Sequence, residues 1–178
     1  IGSGLVGSEM CIRDRNKIGE AVRRMKEEYK KQEEAFKKRK RFAEKERLRK
    51  MTVRTEEELL SFGTAEGSEA LLSYFYEKTV SFLEYLPENT LFFIDEPHRV
   101  LEKGKTYEEE FFLCMQSRLE GGYVLPGQAD LLFGYEEILS KVMVGPLILL
   151  SSVIQDYAFY KPKTTCDIEA KSIFSYNN

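Results

Sequence analysis

Asp95-Glu96-Pro97-His98 directly follows the apolar run Leu91-Phe92-Phe93-Ile94. A short continuous apolar run suits a parallel strand buried on both faces. Two carboxylates then fall at its C-terminal end, where open α/β sheets bind phosphate-bearing ligands. In nucleotide-driven motors an Asp so placed holds Mg²⁺ through water, and the neighbouring Glu positions the attacking water. Asp95, Glu96 and His98 are therefore the candidate catalytic residues, for nucleotide hydrolysis. The competing reading is a solvated acidic turn after a strand.

Such a motor also needs a phosphate cradle. Gly104-Lys105-Thr106 has the ending of GxxxxGK[ST], but the first glycine of that pattern would be residue 99, which is Arg99. No strand runs directly into it either, so residues 102–105 read as a polar loop. His98 is the single histidine, and Cys114 and Cys166 lack metal-ligand spacing. No metal site is expected in this segment, and Cys114, beside the Phe111/Met115 stripe, reads as a buried core thiol. A second chemistry lies in the run Lys37-Lys38-Arg39-Lys40-Arg41. It could neutralise nucleic-acid phosphates or simply form a solvated helix face.

These residues need elements to hold them. Residues 17–52 contain no proline, and no glycine after Gly19. Ile18, Val22, Met25, Tyr29 and Phe36 recur as one apolar stripe at helical spacing. A helix of ~35 residues would run ~50 Å, too long to pack along its whole length on so small a body. Thr55 with Glu58 reads as a capping box opening a new helix, and Gly63 as its end. Residues 68–86 read as a buried helix closed by Pro87. Residues 91–94 and 147–150 read as buried strands, the first central and packed by the helices on either side of it, with Phe93 in the core. Residues 106–120 and 135–142 read as helices, with Gly121-Gly122 stopping the first. Residues 165–171 alternate, with Cys166, Ile168 and Ala170 on one face, and read as a third strand. Helices alternating with buried strands give an α/β class.

The chain has 178 residues, a net charge of −3, and 42% apolar and 32% charged residues, which is about one domain. No apolar run approaches the roughly 18 residues of a membrane span. From Lys17 to Arg54 there are 16 basic and 7 acidic residues, a net +9. From Thr55 onward there are 9 basic and 21 acidic residues, a net −12. A basic arm thus precedes an acidic body. Leu5 to Asp14 reads in register as one translated frame of a transposon-end adapter used in preparing sequencing libraries, so residues 1–15 are set aside as an artefact expected to make no specific packing contacts. The remainder divides into a long basic helix over 16–54 and a body over 55–178, expected to be a fragment open at both ends.

Read together, Ser73-Tyr74-Phe75-Tyr76-Glu77-Lys78-Thr79, Tyr85-Leu86-Pro87-Glu88-Asn89, Phe93-Ile94-Asp95-Glu96-Pro97-His98-Arg99 and Arg118-Leu119-Glu120-Gly121-Gly122-Tyr123-Val124-Leu125-Pro126-Gly127-Gln128 resemble the bacterial transcription-repair coupling factor family. The likeness covers most of residues 17–178 and points to the N-terminal module, itself similar to the excision-repair helicase UvrB. It implies an α/β fold: a partial, degenerate RecA-like (P-loop NTPase-type) domain preceded by the long basic helix. Ser151-Ser152 stands where UvrB has its S-A-T motif. Asp95, Glu96 and His98 become a vestigial DExH-type box, and this segment a non-catalytic, monomeric scaffold without cofactor. The full-length protein would use ATP and Mg²⁺ to translocate on double-stranded DNA, contact RNA polymerase and UvrA, and work in the bacterial cytoplasm at the nucleoid, away from membranes. The alternatives are a true UvrB-type nucleotide hydrolase and a helical protein-binding adaptor.

Overall fold

The computed structural model describes residues 15–153 and 161–168. Within them lie α1 (Arg15–Lys38), α2 (Phe42–Phe62), a 3-10 turn at Ser68–Leu71 running into the single-turn α3 (Leu72–Phe75), and a second 3-10 turn at Phe82–Tyr85. Then come β1 (Phe92–Asp95), α4 (Pro97–Glu120), a 3-10 turn at Pro126–Gln128, α5 (Tyr135–Val144) and β2 (Leu147–Leu150). The two strands pair in parallel, Phe92 opposite Leu147 and Asp95 opposite Leu150. The architecture is mostly helical with a small parallel sheet, so the α/β character holds in this reduced form.

The expected long basic helix is instead a hairpin. α1 ends after Lys38 and the chain reverses through Arg39, Lys40 and Arg41. The Arg41 N–H donates to the Phe36 carbonyl at 2.9 Å and the Lys40 N–H to the Lys37 carbonyl at 3.1 Å. That bond pair is a Schellman closure, with Lys40 at φ 57° where glycine is usual. A left-handed non-glycine residue costs about 1–2 kcal/mol. Folding back lets the stripe of α1 meet α2: Ile18, Val22, Met25 and Phe36 are buried, as are Leu48, Thr52 and Leu59. Each large apolar side chain so covered contributes about 1.5–3 kcal/mol, which outweighs the turn. Thr55 opens no helix. It lies inside α2, its hydroxyl near the Met51 sulfur at 3.7 Å. Glu58 pairs with Arg54 at 2.7 Å and accepts the Glu66 N–H at 3.0 Å. Gly63, at φ 74°, ends α2 as expected.

Residues 68–86 are not one helix. After Phe75 the chain becomes extended at Tyr76, and the β-branched pair Thr79-Val80 suits that departure. Leu71, Tyr74 and Phe75 pack into the hairpin core with the fully buried Leu125. The core therefore lies around α1, α2 and α3 rather than beneath the sheet. Phe93 is 62% exposed, and Leu91, Ile148 and Leu150 are exposed with it. One sheet face is open, and the expectation of a central strand buried on both sides fails. Among the described residues no helix packs over Phe93 and Ile148, so their face stays exposed. Cys114 is exposed, not a core thiol. The Thr106–Glu120 stripe belongs to a helix that starts earlier, at Pro97, and absorbs the supposed polar loop. No strand forms over 165–168, where Cys166 and Ile168 are exposed. Ala170 and the adapter-like residues 1–14 lie outside the described residues.

The end of α4 is seated on α2. Gly122, at φ 71°, approaches so closely that a Cβ there would stand 2.4 Å from the Glu44 carbonyl oxygen. Arg47 donates to the Gly121 carbonyl and stacks 4.4 Å above the Tyr123 ring.

Two substitutions separate this core from the sheet. Met25→Ala should lower unfolding free energy by about 2–5 kcal/mol, whereas Phe93→Ala should cost about 1 kcal/mol or less. Urea melts read both. Lys40→Gly should raise the midpoint of the same melts, by up to about 1 kcal/mol of stability, because glycine relieves the left-handed strain and gives back part of that gain as unfolded-state entropy.

Candidate functional site

The C-terminal ends of β1 and β2 lie side by side, so the acidic box and Ser151-Ser152 meet. Asp95 closes β1 and is exposed. Glu96 follows at φ 47° and ψ 65° and caps α4. Its N–H donates to the Leu150 carbonyl at 2.8 Å, and its carbonyl accepts the Arg99 N–H at 2.9 Å. Its carboxylate accepts the Ser152 N–H at 2.8 Å. Pro97 is buried at the first position of α4, where its missing N–H costs nothing. His98 is exposed one residue further on.

This geometry ties Glu96 to the backbone just past β2. A carboxylate held by Ser152 is drawn away from orienting a water. The same contacts, from the Ser152 side chain first and then its N–H, hold the Glu96 carboxyl below the usual carboxylate range. Asp95 remains exposed beside it. The structure thus brings Asp95, Glu96, His98 and Ser152 to one junction. Ser152 as the partner of Glu96 was not foreseen, although its place directly after the second strand was the available signal.

Gly104-Lys105-Thr106 lies elsewhere. These residues sit inside α4, Lys105 being about 12 Å along the helix axis from its start. Each is engaged in ordinary helix packing. Gly104 lets α5 approach, since a Cβ there would stand 3.1 Å from the Cβ of Tyr135. Lys105 faces Glu109 at 3.9 Å on the exposed surface. The Thr106 hydroxyl donates to the Glu102 carbonyl at 2.9 Å. A phosphate cradle needs loop N–H groups that converge on one point, and a helix interior spends those N–H groups on its own ladder.

The basic run forms the hairpin tip. Lys37 is paired with Glu34 at 2.8 Å and Glu33 at 3.5 Å. Arg41 is paired with Glu44 at 3.1 Å and lies 5.7 Å from the Phe36 ring centroid. Lys38, Arg39 and Lys40 are exposed and form no ion pair among the described residues. Of the five candidate nucleic-acid contacts, the fold thus leaves three uncommitted and spends two on the hairpin. Among the described residues no group of three or more His, Cys, Asp or Glu side chains is placed to hold a metal ion, and no helix is long and apolar enough to cross a membrane.

No protein-family profile matches the chain. Over 106 residues, 60% of the chain, it is 29% identical to the transcription-repair-coupling factor of Bacillus subtilis strain 168. The chain spans 9% of that relative's length. The similarity is partial and distant, and it supports at most a region related to that factor.

The Glu96 contacts carry a pH signature. Its folded pKa lies below the ordinary 4.5, so its stabilising contribution is complete above that value and is lost as pH falls through the depressed one. Carboxyl NMR should place the Glu96 midpoint below 4.5. In Glu96→Gln, the small deficit in melting temperature at neutral pH should disappear in acid. An ordinary midpoint would detach Glu96 from Ser152.

Proposed function

We propose that this chain is a non-catalytic scaffold portion of a transcription-repair-coupling protein, and that its β1–α4 junction is a degenerate RecA-like motor element put to structural use. The observation that carries this reading is the Glu96 carboxylate bound to the Ser152 N–H at 2.8 Å. A residue that in a working motor would position water here joins two strand ends. The placement of Gly104-Lys105-Thr106 within α4 supports the same reading, as does the partial similarity to the Bacillus subtilis factor. In this proposal the complete protein works in DNA repair coupled to transcription in the bacterial cytoplasm. It uses ATP and Mg²⁺ on double-stranded DNA and contacts RNA polymerase and UvrA. Its energy-transducing chemistry resides outside the residues described.

Titration of the chain with a fluorescent ATP analogue in the presence of Mg²⁺ tests the proposal. The expected result is no saturable binding and no phosphate release above the buffer rate. Micromolar binding abolished by Asp95→Ala would instead establish a UvrB-type nucleotide site. Binding that survives Asp95→Ala would place a nucleotide site elsewhere and also refute the scaffold reading.

A further inference from the structure

An open groove of about 520 Å³ runs between the second half of α1 and the second half of α4. One wall is built from positions 32, 35 and 36 of α1 with Arg39 just past its end, where the Arg39 N–H still reaches the Ala35 carbonyl at 3.2 Å, and the other from positions 112, 115, 116, 119 and 120 of α4. Both series follow the i, i+3, i+4, i+7 spacing of a single helix face. Two such faces flanking a trough present ridges between which a third helix can lie. The trough is apolar where Phe36, Met115 and Leu119 line it, and Phe112 is 54% exposed at its wall.

Its charge selects the occupant. Arg39 lines the groove, is exposed, and forms no ion pair among the described residues. The opposite wall offers one carboxylate, Glu120, whose oxygen already accepts from the Gln116 amide at 3.2 Å. The cationic end is therefore the unsatisfied one. We propose that this groove docks an amphipathic helix of acidic character, its apolar stripe seated on Phe112, Met115 and Leu119 above the buried Phe36 and its carboxylates against Arg39. This is the helix-in-groove mode of recognition, with charge setting preference and approach more than total affinity. The proposal is independent of the nucleotide question, since the groove shares no residue with the β1–α4 junction.

The probe is a fluorescein-labelled designed peptide of about 18 residues, long enough to hold a helix, with a leucine stripe flanked by glutamates. A control keeps the stripe and replaces the glutamates with lysines. The acidic peptide should bind the 178-residue chain about tenfold or more tighter than the basic one. Met115→Glu should weaken it about tenfold or more. Arg39→Glu should narrow or invert the preference, and Glu120→Lys should strengthen acidic-peptide binding. Arg39 and Glu120 are exposed, so those two variants should melt like the parent and remain informative if Met115→Glu does not fold. Equal binding of both peptides, or no response to the two charge reversals, overturns the proposal. So does a dimer in sedimentation that Arg39→Glu dissolves, which assigns the groove to a second copy. Displacement of the peptide by stoichiometric duplex DNA at physiological salt overturns it in favour of a phosphate-binding tip.

Discussion

The carboxylate of Glu28 holds the principal core together. One oxygen accepts the Tyr74 hydroxyl at 2.5 Å and the Gly127 N–H at 2.9 Å. A single side chain on α1 thus fixes α3 and the turn at Pro126–Gln128. The Ser73 hydroxyl adds a bond to the Gly127 carbonyl at 2.5 Å. Gly127 is needed there because a Cβ would stand 2.8 Å from the Tyr74 ring. Hydrogen bonds to a charged group contribute about 1.5–3 kcal/mol each, and leaving a buried member unpaired costs at least as much. Burial first, then the Glu28 carboxylate, drives the Tyr74 hydroxyl above its ordinary pKa of 10, so Tyr74 stays a donor throughout the neutral range. Leu125, beside this turn, is fully buried as a consequence, and the connection from α4 back to α1 is set.

The two halves of the molecule are stabilised unequally for that reason. Around Glu28 the apolar faces of α1, α2 and α3 converge and close over Met25, Leu48, Leu59 and Leu125. Around β1 and β2 they do not. Parallel strands ordinarily sit between helical layers on both faces, and here Phe93 and Ile148 stand side by side with nothing described above them. What ties this half to the hairpin is the close approach of Gly122 to Glu44 and the stacking of Arg47 on Tyr123. Both are short-range contacts at the end of α4. The β1–α4 junction at its other end depends on the link between Glu96 and Ser152.

How far the fold was legible followed from how local its causes were. The stripe of Ile18, Val22, Met25 and Phe36 was readable because helical spacing alone defines a face, and that face is buried. Gly63 and Gly121-Gly122 marked helix ends because a left-handed or sharply turning backbone favours glycine. Residues 91–94 and 147–150 were readable as strands from short apolar runs, and strands form at Phe92–Asp95 and Leu147–Leu150; their pairing was not legible. The turn at Lys40 was not legible, because its Schellman closure uses lysine where the recognisable residue is glycine. Residues 68–86 carried enough apolar side chains for a buried helix, but their partition between core and surface is decided by tertiary contacts: Tyr74 goes to Glu28, while Phe82 and Tyr85 remain exposed. The same limit applied to Phe93 and Cys114. A run of residue types reports that a side chain is apolar, not whether another element arrives to cover it.

The acidic box illustrates the limit at the level of function. Residue type and position at a strand end fixed Asp95 and Glu96 as a pair, and the fold does bring them to the junction of β1, α4 and the end of β2. Their roles there are unlike. Glu96 adopts a left-handed backbone at the N-cap position of α4, makes no side-chain cap bond there, and gives its carboxylate to the Ser152 N–H instead. Asp95 closes β1 and is exposed. The GKT segment lies apart from this junction, wound into α4. The geometry that places two carboxylates at a strand end thus also puts one of them within reach of the neighbouring backbone, where the Ser152 N–H meets it.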